Sequence, residues 1–199
     1  MKLSTIFVSL TILLLPLCSF AASVPIEELC EKVSCREDTK VFLAIDAEEN
    51  WEGTFPKSPY VINENLVNLI PGETIYLTAT TAEGTLTELT ATTFKPTEGE
   101  VIVVSFQQKD EDKEHKYKYM VLKISNPYTK PLKYSASMNL LGEQGMYKTS
   151  TCPVFPEKAT YESWPHPILR IVMENFHFVE SNSMECKEPN TYQAPGRQE

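Results

Sequence analysis

The chain has 199 residues, of which 27 are Asp or Glu and 18 are Lys or Arg, for a formal net charge of −9. An acidic chain with no basic run repels phosphate backbones and anionic lipid alike. Nucleic acid is therefore excluded as an expected partner, and so is electrostatic attachment to a membrane. There is no Gly-x-Ser-x-Gly, no glycine-rich phosphate loop and no His-Glu-x-x-His, so the sequence offers no catalytic signature and implies no cofactor.

Met1-Lys2 gives a short positive start, and Leu3 to Leu17 is apolar apart from Ser4, Thr5, Ser9 and Thr11. Ser19 and Ala21 place small side chains where a signal peptidase needs them, which predicts a signal peptide over 1–21 cleaved after Ala21. The apolar run falls short of the roughly 20 residues that span a bilayer, and no stop-transfer cluster follows. Leu17 is also too large for the position before a lipidated Cys18. No stable membrane anchor is expected after cleavage, and the protein is expected to be secreted or periplasmic. The absence of an Asn-x-Ser/Thr acceptor favours a bacterial envelope.

Cys18 leaves with the signal. Cys30, Cys35, Cys152 and Cys186 remain, an even count that in an exported chain reads as two disulfides with three connectivities. Cys30–Cys35 and Cys152–Cys186 are favoured, on a condition. Residues five apart in an unbroken helix lie roughly 8–9 Å apart at Cα, beyond disulfide reach, so any helix holding Cys30 must end near Val33. His115, His166 and His177 are scattered, and no metal site is expected.

Along the expected domain, 22–186, Val24 to Val33 reads as a short helix with Pro25 in its first turn and Glu27 and Glu28 at its positive end. Its apolar face is Ile26, Leu29, Cys30 and Val33. Val41, Leu43 and Ile45 then alternate as a strand. Residues 46–65, with Pro56, Pro59 and the acidic Glu48, Glu49 and Glu52, read as irregular. Pro71-Gly72 turns the chain into a strand over 74–80, with Ile75, Leu77 and Ala79 inward. Glu83-Gly84 leads to a threonine-rich strand over 86–92. Val101 to Val104 and Phe106 form an apolar run that reads as a strand buried on both faces or packed against a second sheet. A solvated hairpin tip over 109–114 returns as Tyr117 to Ile124; its carboxylates lack the ligand spacing and mid-loop glycine of a calcium loop.

The cleanest alternation is Leu132, Tyr134, Ala136, Met138 and Leu140 inward, with Lys133, Ser135, Ser137 and Asn139 outward. A long connection over 142–167 holds Cys152 and four prolines, a last strand runs from Ile168 to Val179, and 187–199 reads as a frayed tail. About seven short strands with one short helix predict an all-β, antiparallel two-sheet sandwich. Residues 122–134, Leu-Lys-Ile-Ser-Asn-Pro-Tyr-Thr-Lys-Pro-Leu-Lys-Tyr, resemble the strand, Asn-containing turn and strand of many immunoglobulin-like modules of exported proteins. That resemblance implies an immunoglobulin-like sandwich. The Cys…Trp…Cys arrangement of antibody domains is absent.

Tyr161, Trp164 and His166 are the candidate partner-binding residues, because Trp164-Pro165-His166-Pro167 is a rigid aromatic stretch and Trp and Tyr are the usual anchors of binding patches. The competing reading has Trp164 capping the core while the prolines keep the connection out of the sheet. His166 has no identifiable partner as a general base, and carboxylate pairs drawn from Asp46, Glu48, Glu49 and Glu52 arise by chance in so acidic a chain. The expected function is an exported binding or accessory module for a protein or glycan. The alternative is a small exported hydrolase with its site in 142–167.

Overall fold

A computed structural model describes residues 24–46, 48–110, 118–180 and 185–186. The expected signal peptide, most of the 109–114 hairpin tip and the C-terminal tail lie outside the described residues. Helix α1 (Ile26–Lys32) is followed by β1 (Cys35–Arg36), β2 (Thr39–Ala44), β3 (Asn50–Phe55), β4 (Ser58–Pro59), β5 (Val61–Ile62) and β6 (Leu66–Leu69). Then come β7 (Glu73–Ala82), β8 (Thr85–Thr92), β9 (Ile102–Lys109), β10 (Tyr119–Ser125), β11 (Leu132–Leu140), β12 (Tyr147–Thr149), β13 (Ala159–Trp164) and β14 (Ile168–Phe178).

The fold is all-β, antiparallel and sandwich-like, with fourteen strand segments among the described residues against about seven expected. The main sheet runs β12-β11-β14-β8-β7-β9-β10-β13, with β6 on β14 and β5 on β6. It bends where β14 changes neighbour. Ile171 to Met173 pair with Leu69 to Val67, whereas His177 pairs with Thr85 of β8. The two leaves so formed face each other across one apolar core. Ile75, Leu77, Ile102, Val104, Phe106, Met120, Leu122 and Ile124 line one side; Leu132, Tyr134, Met138, Ile171, Met173 and Phe176 line the other. Strand β9 alternates fully buried with half-buried positions, so it is inward on one face only.

Two stretches expected to be irregular are strands. In β3, Trp51, Gly53 and Phe55 alternate with the exposed Glu52 and Thr54. Gly53 is required there because the Trp51 indole lies where a Cβ would stand, within 2.3 Å. Within 142–167, β12 pairs β11 and β13 pairs β10 along its whole length. The expected outward row of β11 also needs correcting. Ser135 is exposed, Ser137 and Asn139 are half-buried, and Lys133 is buried. The inward row Leu132, Tyr134, Ala136, Met138 and Leu140 is buried throughout, pairing with β14 shifts register between Lys133 and Ser135, and the Lys133 ammonium donates to the Thr151 carbonyl. Ile45 lies beyond the end of β2 and is exposed, unlike Val41 and Leu43.

Helix α1 ends at Val33, whose backbone is extended, and this brings Cys30 and Cys35 to 5.5 Å at Cα. Both disulfides, Cys30–Cys35 and Cys152–Cys186, are formed. Pro25 stands just before the first helical residue rather than inside the first turn, and none of the helical residues is buried. Below the helix, Arg36 is buried and forms a two-pronged pair with Glu73 (Nε to Oε1 2.7 Å, Nη2 to Oε2 2.9 Å). It also donates to the Ser58 hydroxyl and the Asn68 carbonyl, so the buried charge has its hydrogen bonds satisfied.

Candidate functional site

Two of the three residues singled out in the sequence, Tyr161 and Trp164, face opposite sides of one strand. Alternation along β13 turns Ala159, Tyr161 and Ser163 outward and Thr160, Glu162 and Trp164 inward. Trp164 is half-buried, packs on the core and donates from Nε1 to the Thr149 hydroxyl at 3.0 Å. Two residues earlier, Glu162 accepts from the Cys152 amide at 2.9 Å. These contacts bring together β12 and β13, the two ends of the main sheet, so side chains close a seam that no main-chain ladder spans. The Cys152–Cys186 disulfide sits at the same seam.

Glu162 is partly desolvated there. Burial raises its carboxyl above the ordinary carboxylate range, outweighing the Cys152 amide and the Lys133 ammonium, which both favour the charged form. Tyr134, stacked on Phe176, has its hydroxyl pushed up by burial first and by the Glu162 charge second. Its oxygen has no hydrogen-bond partner among the described residues. The seam thus holds a half-buried carboxylate whose described contacts, the Cys152 amide and the Lys133 ammonium, are structural. His166 is exposed in the link to β14 and has no hydrogen bond or ion pair among the described residues.

Tyr161 is different. It is 63% exposed and stands at the margin of a flat outer face formed by β7, β9, β10 and β13. Ladder pairing sets a lateral row across that face: Thr74 opposite Ser105, Ser105 opposite Lys123, Lys123 opposite Tyr161. Within it, the Thr74 hydroxyl donates to the Ser105 hydroxyl at 2.9 Å, and the Lys123 ammonium lies 5.7 Å from the centre of the Tyr161 ring. A ring and an ammonium at that distance attract through the ring quadrupole, which holds Tyr161 upright at small entropic cost. Adjacent rows add Tyr76 opposite Val103, and Val121 between Gln107 and Ser163.

The face therefore presents hydroxyls, one ammonium and aromatic rings on a rigid, ladder-held platform. Such a surface can stack a ring against an apolar patch and hydrogen-bond beside it. Sequence reasoning missed Thr74, Tyr76, Ser105 and Lys123: the inward row Ile75, Leu77 and Ala79 already implied that Thr74 and Tyr76 face outward, whereas Ser105 interrupts an unbroken apolar run and 117–124 carried no assigned alternation. No family model, curated protein or solved structure matches this chain.

Two disulfides are typical of an oxidising compartment. Among the described residues no helix is long and apolar enough to cross a membrane.

Proposed function

We propose that the protein is an exported binding module, an immunoglobulin-like sandwich that engages another protein or a surface glycan across the outer face of β7, β9, β10 and β13. The observation that carries this reading is the row Thr74–Ser105–Lys123–Tyr161. Its terminal ring is exposed, oriented by a cation, and not part of the core packing. Exposed tyrosines on rigid strands offer large contact area with little conformational freedom to lose, as interface anchors do. The inward turn of Trp164 supports this division of labour, since the aromatic residue nearest in sequence already serves the seam.

The test uses the exported protein on a printed glycan array and in photocrosslinking, with a photoreactive phenylalanine placed at 161 and, as a control, at the exposed Phe94. The reading expects glycan signals or discrete adducts at 161 but not at 94. It also expects their loss in Tyr161→Ala and Lys123→Ala, with melting temperatures within a degree or two of the parent. Variants that bind as the parent does would refute this face as the working surface.

A further inference from the structure

Among the described residues, strand β2 pairs β3 along one edge only. On its other edge, Ala44 donates its N–H to the Gln108 side-chain oxygen at 2.9 Å and accepts from the Gln108 side-chain nitrogen at 2.9 Å. The glutamine amide thus stands where a neighbouring strand's peptide group would be. In an antiparallel strand, alternate residues send both main-chain groups to the same edge. Phe42 and Lys40 therefore aim their N–H and C=O groups along the edge that Ala44 uses. Ile45, of opposite parity, bonds to Glu49 on the β3 side at 2.9 Å, as this alternation requires.

Across from this edge, β9 is covered by β7 only as far as Phe106, which pairs Glu73 and whose carbonyl takes the Gly72 amide. By the same alternation Gln108 turns its main-chain groups to that uncovered side. A depression of about 450 Å³ lies between the two edges, and Lys40, Phe42, Gln108, Lys109, Asp110 and Lys118 line it. Phe42 is 64% exposed. Among the described residues three ammonium groups here meet two carboxylates, Asp110 at 3.3 Å from Lys118 and the exposed Glu52 at 3.5 Å from Lys40. The described residues of the groove thus carry one ammonium more than carboxylates, in a chain of net charge −9.

We infer that this groove takes an extended acidic segment of a protein partner, added as a strand to the free edge of β2. Edge lysines ordinarily discourage strand addition. Grouped on one groove, they select an incoming strand of opposite sign, while the main-chain groups of Lys40 and Phe42 supply ladder bonds that any sequence can make. Lys40 and Phe42 point to the same face of β2, so the added strand needs a carboxylate and an apolar side chain two residues apart. This inference does not depend on the outer-face reading, and its failure leaves that reading intact.

The probe is a synthetic peptide of about nine residues with glutamate and leucine alternating on one face and threonine between them. Its control carries lysine for glutamate. Binding to the exported full chain is read by fluorescence anisotropy, and strand addition by amide hydrogen exchange. The acidic peptide is expected to bind, to weaken as salt rises, and to slow exchange at the Lys40 and Phe42 amides. Lys109→Glu with Lys118→Glu should weaken it by about tenfold with melting unchanged; if that pair impairs folding, Lys109→Gln with Lys118→Gln should weaken it in the same direction. Absence of binding, equal binding of the lysine peptide, indifference to the lysine changes, or self-association of the protein through the same amides would each overturn the inference.

Discussion

Lys133, Tyr134 and Glu162 bring polar atoms into the interior beside the Cys152–Cys186 bridge. Each is kept there by a specific compensation. The Lys133 ammonium reaches the Thr151 carbonyl, and Glu162 takes the Cys152 amide. Tyr134 contributes an apolar ring that stacks on Phe176, with the hydroxyl left over. Because burial holds the Glu162 carboxyl above its ordinary value, the folded state keeps that proton more tightly than the unfolded chain does. Its contribution to stability is therefore complete below the unfolded midpoint, near pH 4, and is lost as pH climbs through the raised folded midpoint. A carbon-detected NMR titration of Glu162 should place its midpoint above that of an ordinary glutamate; a midpoint at or below about 4.3 contradicts the seam's desolvation.

At the scale of elements, the turn between β10 and β11 shows how a motif becomes a corner. Asn126 is buried. Its side-chain nitrogen donates to the Lys130 carbonyl at 2.7 Å and the Val154 carbonyl at 3.0 Å, and its side-chain oxygen accepts the Tyr128 amide at 2.9 Å. One side chain thus ties the turn to the segment entering β13. Asn126→Ala would leave the Lys130 carbonyl and the Tyr128 amide short of a partner, the Val154 carbonyl keeping the Leu132 amide, and urea unfolding should show a loss of about 2–4 kcal/mol. A loss below about 0.5 kcal/mol would mean that water replaces the amide readily.

The strands that sequence revealed are those with long, clean alternation, such as β7 and β11. β3 and β13 were hidden, because flanking prolines and the acidic cluster read as loop signals while Trp51, Gly53, Phe55 and Glu162, Trp164 kept a period of two underneath. Lys133 is buried although Leu132 and Tyr134 keep the inward row, because its ammonium is covered at the Thr151 carbonyl, a contact distant in sequence that composition does not reveal. Tyr161 and Trp164 were grouped because they are close in sequence, although odd and even positions of one strand face opposite ways.

For the molecule as a whole, the fold depends on how its sheet ends meet. A sheet that bends back on itself must cover its last strands, since open edges invite pairing with other chains. Here the Trp164 indole joins β13 to Thr149 of β12 and the Glu162 carboxylate holds the Cys152 amide, with no ladder between the two strands, while the Cys152–Cys186 bridge ties their connection to the segment after β14. The consequence is a division of the aromatic residues of β13 between closure, inward, and recognition, outward. The most direct test of that division is the difference in melting temperature between Trp164→Ala and Tyr161→Ala, measured on the disulfide-bonded protein. Removing the half-buried indole should cost about 2–4 kcal/mol and lower the melting temperature clearly, whereas removing the exposed ring should shift it by no more than a degree or two. Equal melting temperatures, or a larger loss for Tyr161→Ala, would contradict the account.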